Sequence, residues 1–258
     1  MKRRAAGILK QTPRPRGLTL LLALVVGGGF LTVPFLTATV PKLVSVKGTV
    51  EVVNPRIKAP GGRMDASGVV VWLQAIDGAA HNAGRPHRTL TQRGKRFIPH
   101  VLAVEVGSEV DFPNEDPFFH NVFSIYEGRR FDLGLYASGE TRPVNFNRPG
   151  ISYIFCNIHP QMSAIVIALE TPYVAETDQN GAFAFSAVPE GRYRMEVWHE
   201  RATPEHLATL SRVLQVGPAD VDLGSLRISE EGYIPQPHRN KHGEEYDSRR
   251  NRPAYRKP

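Results

Sequence analysis

Apolar and polar residues alternate along most of this chain with a period of two, the spacing of a half-buried β-strand. Val44-Ser45-Val46-Lys47-Gly48-Thr49-Val50-Glu51-Val52 is the clearest case, and the run Gly68-Val69-Val70-Val71-Trp72-Leu73 reads as a strand buried on both faces. Residues 77–91 are loop-like. Strands are predicted again at 101–106 and 109–112 around a Gly107-Ser108 turn, at 145–146 and 151–155 around Pro149-Gly150, and in the apolar run 163–170. Thr177-Asp178-Gln179-Asn180-Gly181 is strong turn chemistry ahead of alternating aromatics in Ala182-Phe183-Ala184-Phe185. Val188-Pro189-Glu190-Gly191 makes a second turn before Tyr193, Met195 and Val197, and a last strand pair is predicted at 213–216 and 221–228. Helical periodicity is confined to a short segment within 204–213. Many short strands with frequent turns predict an all-β protein built of sandwiches. From residue 229 to 258 the chain is polar, Pro-containing and basic, and reads as a disordered tail.

Charge changes the picture at the two ends. The formal net charge is +7, but residues 1–16 hold six basic residues and no acid, and 238–258 hold seven basic residues against three acids. Residues 17–237 carry 19 basic and 22 acidic side chains, a net of −3, so the body gives no reason to expect a nucleic-acid partner. The basic start precedes residues 18–36, nineteen residues without a charge. As a helix that length spans about 28 Å, close to a bilayer's hydrocarbon core. Residues 1–40 therefore read as a signal peptide or membrane anchor that places the body on the outer side of an inner membrane, in the periplasm.

Chemistry enters with the single cysteine. Cys156 excludes an intrachain disulfide, a Cys-x-x-Cys pair, covalent c-type haem and a two-cysteine binuclear centre. An exported chain with one thiol leaves it oxidisable or holds it with something, and a metal is the obvious holder. Cys156-Asn157-Ile158-His159-Pro160-Gln161-Met162 puts three ligand types into seven residues between two predicted strands, with His120-Asn121 upstream. Two imidazoles, a thiolate and a long thioether contact suit both oxidation states of copper, and the thiolate offsets charge that would otherwise be costly to bury. His120 is expected on a separate loop. His81, His87, His100, His199, His206, His238 and His242 have ordinary loop, tail or strand-end readings. No His-x-His pair, nucleophile–base arrangement or phosphate loop occurs, so an enzyme is not expected.

Gln92-Arg93-Gly94-Lys95-Arg96-Phe97-Ile98-Pro99-His100, Val106-Gly107-Ser108-Glu109-Val110-Asp111-Phe112-Pro113-Asn114, Phe119-His120-Asn121-Val122-Phe123-Ser124 and the 156–162 loop together resemble the cupredoxin (blue copper) family. The short loop is similar to that of amicyanin, and the wider pattern to plastocyanin-like bacterial proteins labelled methylamine utilization proteins. The resemblance implies a Greek-key sandwich over residues 88–170 holding one type 1 copper ion. It assigns the ligands to His120, Cys156, His159 and Met162, and to Asn121 the task of tying the two ligand segments. Residues 44–76 and 171–228 resemble the two parts of a carboxypeptidase regulatory-like β-sandwich, into which the copper module is inserted; the rival arrangement gives 44–76 to the copper module. The function implied is single-electron transfer between exported redox partners such as a cytochrome. A periplasmic copper carrier or chaperone, or an interaction module with structural copper, are the alternatives.

Overall fold

The computed structural model describes residues 42–55, 65–77, 87–125, 127–234 and 238–246. Residues 1–41, which hold the segment read as a signal peptide or membrane anchor, lie outside these, as do 247–258. No helix among the described residues is long and apolar enough to cross a membrane.

Among the described residues the first two strands are β1 (Leu43–Val53) and β2 (Val70–Ala75). Ten follow in a second module: β3 (Arg88–Thr89), β4 (Thr91–Arg93), β5 (Arg96–Ile98), β6 (Val101–Glu105), β7 (Ser108–Pro113), β8 (His120–Ser124), β9 (Phe131–Tyr136), β10 (Thr141–Phe146), β11 (Gly150–Phe155) and β12 (Ser163–Leu169). Then come β13 (Val174–Glu176), β14 (Ala182–Pro189), β15 (Gly191–Trp198), the helix α1 (Pro204–Leu210), β16 (Arg212–Val216) and β17 (Val221–Ser229). Strand pairing groups the ends of the chain together. β1 lies between β14 and β17, and β2 between β13 and β15, whose far side carries β16. The intervening module has its own five-stranded sheet, in the order β6-β12-β11-β8-β9, and a three-stranded sheet, β10-β7-β3.

Alternation along each strand sorts the side chains into three cores. Val46, Val50 and Val52 of β1, Val71 and Leu73 of β2, and Phe183, Phe185, Met195, Val197, Leu226 and Ile228 form the first. Leu102, Phe112, Val122, Phe146, Ile154, Val166 and their neighbours form the second, inside the 90–168 module. The third joins the two modules. Even positions of β12 (Ala164, Val166, Ala168) face the second core, while Ile165 and Ile167 face outward and meet Val70, Val101, Ala103 and Trp198. Buried apolar side chains of this size contribute ~1.5–3 kcal/mol each as an upper estimate, so this seam ties the modules into one body. It also explains why 69–73 and 163–169 read as unbroken apolar runs: both faces are covered.

The turn at 177–181 is tucked against β1. Asp178 Oδ1 accepts the backbone N–H groups of Asn180 and Ala182 at 2.9 and 2.8 Å, and the Val50 N–H donates to the Gly181 carbonyl at 2.8 Å. Gly181 has φ +78°, and a Cβ there would run into the Val50 carbonyl, so both backbone and space require glycine.

Several features differ from the sequence reading. His120 begins strand β8 rather than sitting in a loop, a strand hidden in the sequence because His120-Asn121-Val122-Phe123-Ser124 mixes polar and apolar residues that are all buried. Strand β9 is a further addition to the sequence reading. Residues 88–93, within the stretch read as loop at its start, contain β3 and β4. Residues 238–246, assigned to a disordered tail, are placed against the 156–162 loop.

Because β1 and β2 are interior strands of their sheets, a fragment beginning at residue 171 lacks the centre of both. It should show no cooperative unfolding transition by circular dichroism, whereas the chain from residue 42 should show one.

Candidate metal centre

Two neighbouring strands of the five-stranded sheet deliver the donors. β8 and β11 pair antiparallel through Phe123 and Phe155, so His120 at the start of β8 and Cys156, one residue past β11, arrive at the same end. Both are fully buried. The chain returns to β12 through a tight loop in which the Cys156 N–H donates to the Met162 carbonyl at 3.1 Å and the Met162 N–H to the His159 carbonyl at 2.9 Å.

This geometry gathers three donor atoms. Cys156 Sγ lies 3.7 Å from His120 Nδ1 and 3.5 Å from His159 Nδ1, and all three lie within 4.8 Å of one another. A first-row ion about 2.0 Å from nitrogen and about 2.3 Å from sulfur requires sulfur–nitrogen edges of about 3.5–3.7 Å in tetrahedral or trigonal arrangement. The donor separations fit an ion of that kind, and two imidazoles with a thiolate suit copper or zinc. Met162 is buried in the same core as Cys156, and its backbone bonds to Cys156 and His159 close the loop.

The surroundings set the protonation of each group. His120 Nε2 lies 2.8 Å from Asp116 Oδ2; an ionised carboxylate only accepts, so it holds the proton on Nε2 and leaves the Nδ1 lone pair facing Cys156. Burial would raise the Asp116 carboxyl, but the backbone N–H of Lys95, the His120 ring and the Gly94 N–H hold it below the usual carboxylate range. Those two N–H groups, at 2.9 and 2.6 Å, come from the β4–β5 hairpin, where Gly94 and Lys95 both take positive φ, 61° and 57°. Burial lowers the His120 imidazole despite Asp116. Burial, with repulsion from His120 and Lys95, brings His159 down to about 4. Burial pushes the Cys156 thiol up, against backbone N–H groups of Asn121, Ile158 and His159 that favour its thiolate. A cation is what would reverse that last balance.

Asn121 bridges the segments. Its Oδ1 accepts the Asn157 N–H at 3.3 Å and its Nδ2 donates to Asp132 at 2.8 Å. Phe118 packs edge-on to His120, with ring centroids 5.2 Å apart, and lies 5.8 Å from His159. Half-buried His159 is flanked by exposed Ile158 and Phe118, and Phe119 is exposed beyond. A second group, His87, Glu109 and Asp111, clusters at the surface with His87 Nε2 2.6 Å from Asp111. Sequence reasoning missed Asp116. Its one available signal was a carboxylate four residues before the upstream histidine.

No family model matches the chain, and no curated protein matches it. Solved structures do. The Cu-containing nitrite reductase from Thermus scotoductus SA-01 is 29% identical over 38% of this chain and 25% of its own, with a TM-score of 0.32. A purple cupredoxin from Nitrosopumilus maritimus is 22% identical over 32% of this chain and 99% of its own, at 0.30. A reduced amicyanin mutant is 18% identical over 38% and 99%, also at 0.30. These neighbours are cupredoxins or a copper enzyme. The chain spans about a quarter of the nitrite reductase's length and nearly all of the other two.

Two outcomes are expected. Asp116→Ala should weaken metal binding about 10–100-fold by freeing the His120 tautomer, measured by competition with a chromophoric chelator. Because His159 is already neutral at pH 7 and the thiol is protonated, uptake should release about one proton per ion there. Affinity should then rise about tenfold per pH unit, as read by the same titration across pH 6–8.

Proposed function

We propose that this chain holds one copper ion in a type 1 site made by His120, Cys156, His159 and Met162, and passes single electrons between exported redox partners. The observation that carries this reading is a fully buried thiol with two imidazole Nδ1 atoms at 3.5 and 3.7 Å. Copper held there supplies one-electron chemistry between Cu(I) and Cu(II).

The residues do the rest. Asp116 fixes the His120 tautomer, and Asn121 holds the Cys156 loop to β8. Phe118 and the module core exclude water from the donors. His159, half-buried and ringed by Ile158 and Phe118, is the donor nearest the surface, and so the point of electron entry and exit. Burial of His120, Cys156 and Met162 supports retention of the ion over handing it to an acceptor protein, as a chaperone must. On this reading the body works in the periplasm, held at the inner membrane through residues 18–36 where that segment is retained, with an exported protein such as a cytochrome as partner.

The copper-loaded protein should show an intense thiolate-to-Cu(II) absorption band and titrate as a one-electron couple. Cys156→Ser should abolish the band with the fold intact by circular dichroism; an equally blue variant would remove Cys156 from the site. Met162→Leu should keep copper and raise the reduction potential, since it removes a donor that favours Cu(II). Each 59 mV of that rise corresponds to about tenfold in relative Cu(I)/Cu(II) affinity. An unchanged or lowered potential would count against Met162 as a ligand. Mixing with a reduced cytochrome should give fast electron exchange with negligible copper loss; copper transfer to an acceptor apoprotein without electron exchange would favour the chaperone.

A further inference from the structure

Residues 238–246 pack along the loop that carries Cys156 and His159, and their contacts are spaced along it. The His238 ring lies flat on Phe155, with centroids 4.1 Å apart and planes at 22°, and its Nε2–H donates to the Pro160 carbonyl at 2.5 Å. The Lys241 backbone N–H donates to Asn157 Oδ1 at 3.0 Å. Its Nζ reaches Asp132 at 2.8 Å, the carboxylate that also accepts from Asn121. Tyr246 O–H donates to the Cys156 carbonyl at 3.2 Å, and its ring packs edge-on to His238. A compact turn presents these groups together. Asn240 N–H donates to the Glu244 carbonyl and Gly243 N–H to the Asn240 carbonyl, each at 2.9 Å, while Asn240 Oδ1 accepts from the N–H groups of His242 and Glu244.

The three acceptors on the loop are the carbonyl of one donor residue, the side chain of the next residue, and the carbonyl immediately after His159. Within the loop, backbone–backbone bonds close it at Met162, through Cys156 N–H and the His159 carbonyl, while Asn121 holds the Asn157 N–H. Each loop residue left unheld keeps backbone freedom that costs about 1–2 kcal/mol to remove.

We propose that the 238–246 segment is a clasp on the metal centre: His238, Lys241 and Tyr246 are positioning residues that hold the Cys156 and His159 donors in register, so that retention of the ion depends on them. The proposal rests on the copper reading for its ligand, but the clamping of the loop stands on the contacts alone. Linkage makes the effect reciprocal. Whatever factor the docked clasp adds to metal affinity, the bound metal adds to docking of the clasp.

The test uses the chain from residue 42 to 258 with two variants. His238→Phe combined with Tyr246→Phe keeps both rings and removes both donors to the loop. Lys241→Met is an independent surface change that removes the bond to Asp132. The first readout is amide exchange at residues 157–162 in the metal-free protein, with β2 and β15 as internal reference. The second, after loading with Cu(II), is the rate of copper loss to excess chelator, together with the position of the thiolate band. The clasp predicts that the double variant accelerates exchange in the loop and copper loss at least tenfold and shifts the band, with β2 and β15 unchanged, and that Lys241→Met does so to a smaller degree. Loop exchange and copper loss within twofold of the parent, with only a lower thermal midpoint, would reduce the segment to passive packing and overturn the proposal. A parent chain that takes up no copper would sink the copper reading, while loop exchange would still decide the clasp.

Discussion

A buried thiol with two imidazole nitrogens 3.5 and 3.7 Å from its sulfur forms an arrangement that a chain does not adopt for its own stability. Each group loses water, and the partners it gains are weak ones, since a thiol is a poor donor and a neutral imidazole offers only one lone pair. Such a cluster persists only when its surroundings hold it more firmly than its own contacts do. Here the holding is distributed: two paired strands fix the starting points, a buried carboxylate fixes one ring, and the loop's backbone bonds fix the other. The cost is met in the protein scaffold, so an incoming metal ion would meet donors already in place.

That demand runs outward through the architecture. Asp116 can orient His120 only because the Gly94-Lys95 turn supplies it with two N–H groups, and that turn in turn needs two residues in the left-handed region. β12 is locked on both faces, by the inner core on one side and by Val70 and Trp198 on the other. The return strand of the metal loop is therefore braced by the other sandwich. Stiffness at the donors is a property of the whole body as well as of the loop.

How much of this was legible in the sequence depended on where the signal lay. The 44–52 alternation and the aromatics at 183 and 185 report strands directly, because one face of each is buried and the other wet. The group of His120, Cys156 and His159 stood out because its residue types carry chemistry and two of them are close in the chain. Strand β8 was not legible, since His120 and Asn121 are polar residues buried for their bonds rather than their hydrophobicity. Asp116 looked like any carboxylate in a Pro-containing turn. The 238–246 segment was misread for a related reason. Polar composition argues for disorder when a segment must form its own core, but this one attaches to acceptors and a ring that the rest of the protein has already placed. Composition does not reveal that a surface elsewhere is waiting.

The pairing of the chain's two ends has a kinetic meaning. All the sheet partners of β1 and β2 lie beyond residue 173, whereas every strand from β6 to β12 finds its partners within its own module. Contacts so far apart in sequence are slow to form, because loop-closure entropy is lost before any pairing energy is gained. The central module needs no such wait. Once it has closed, it shortens the path between β2 and β13 and presents Val101, Ala103, Ile165 and Ile167 as a ready surface for Val70 and Trp198. Strand β1, first in sequence among those described, is thus among the last to find its place, and the module lying between the halves of its sheet is the template on which those halves meet.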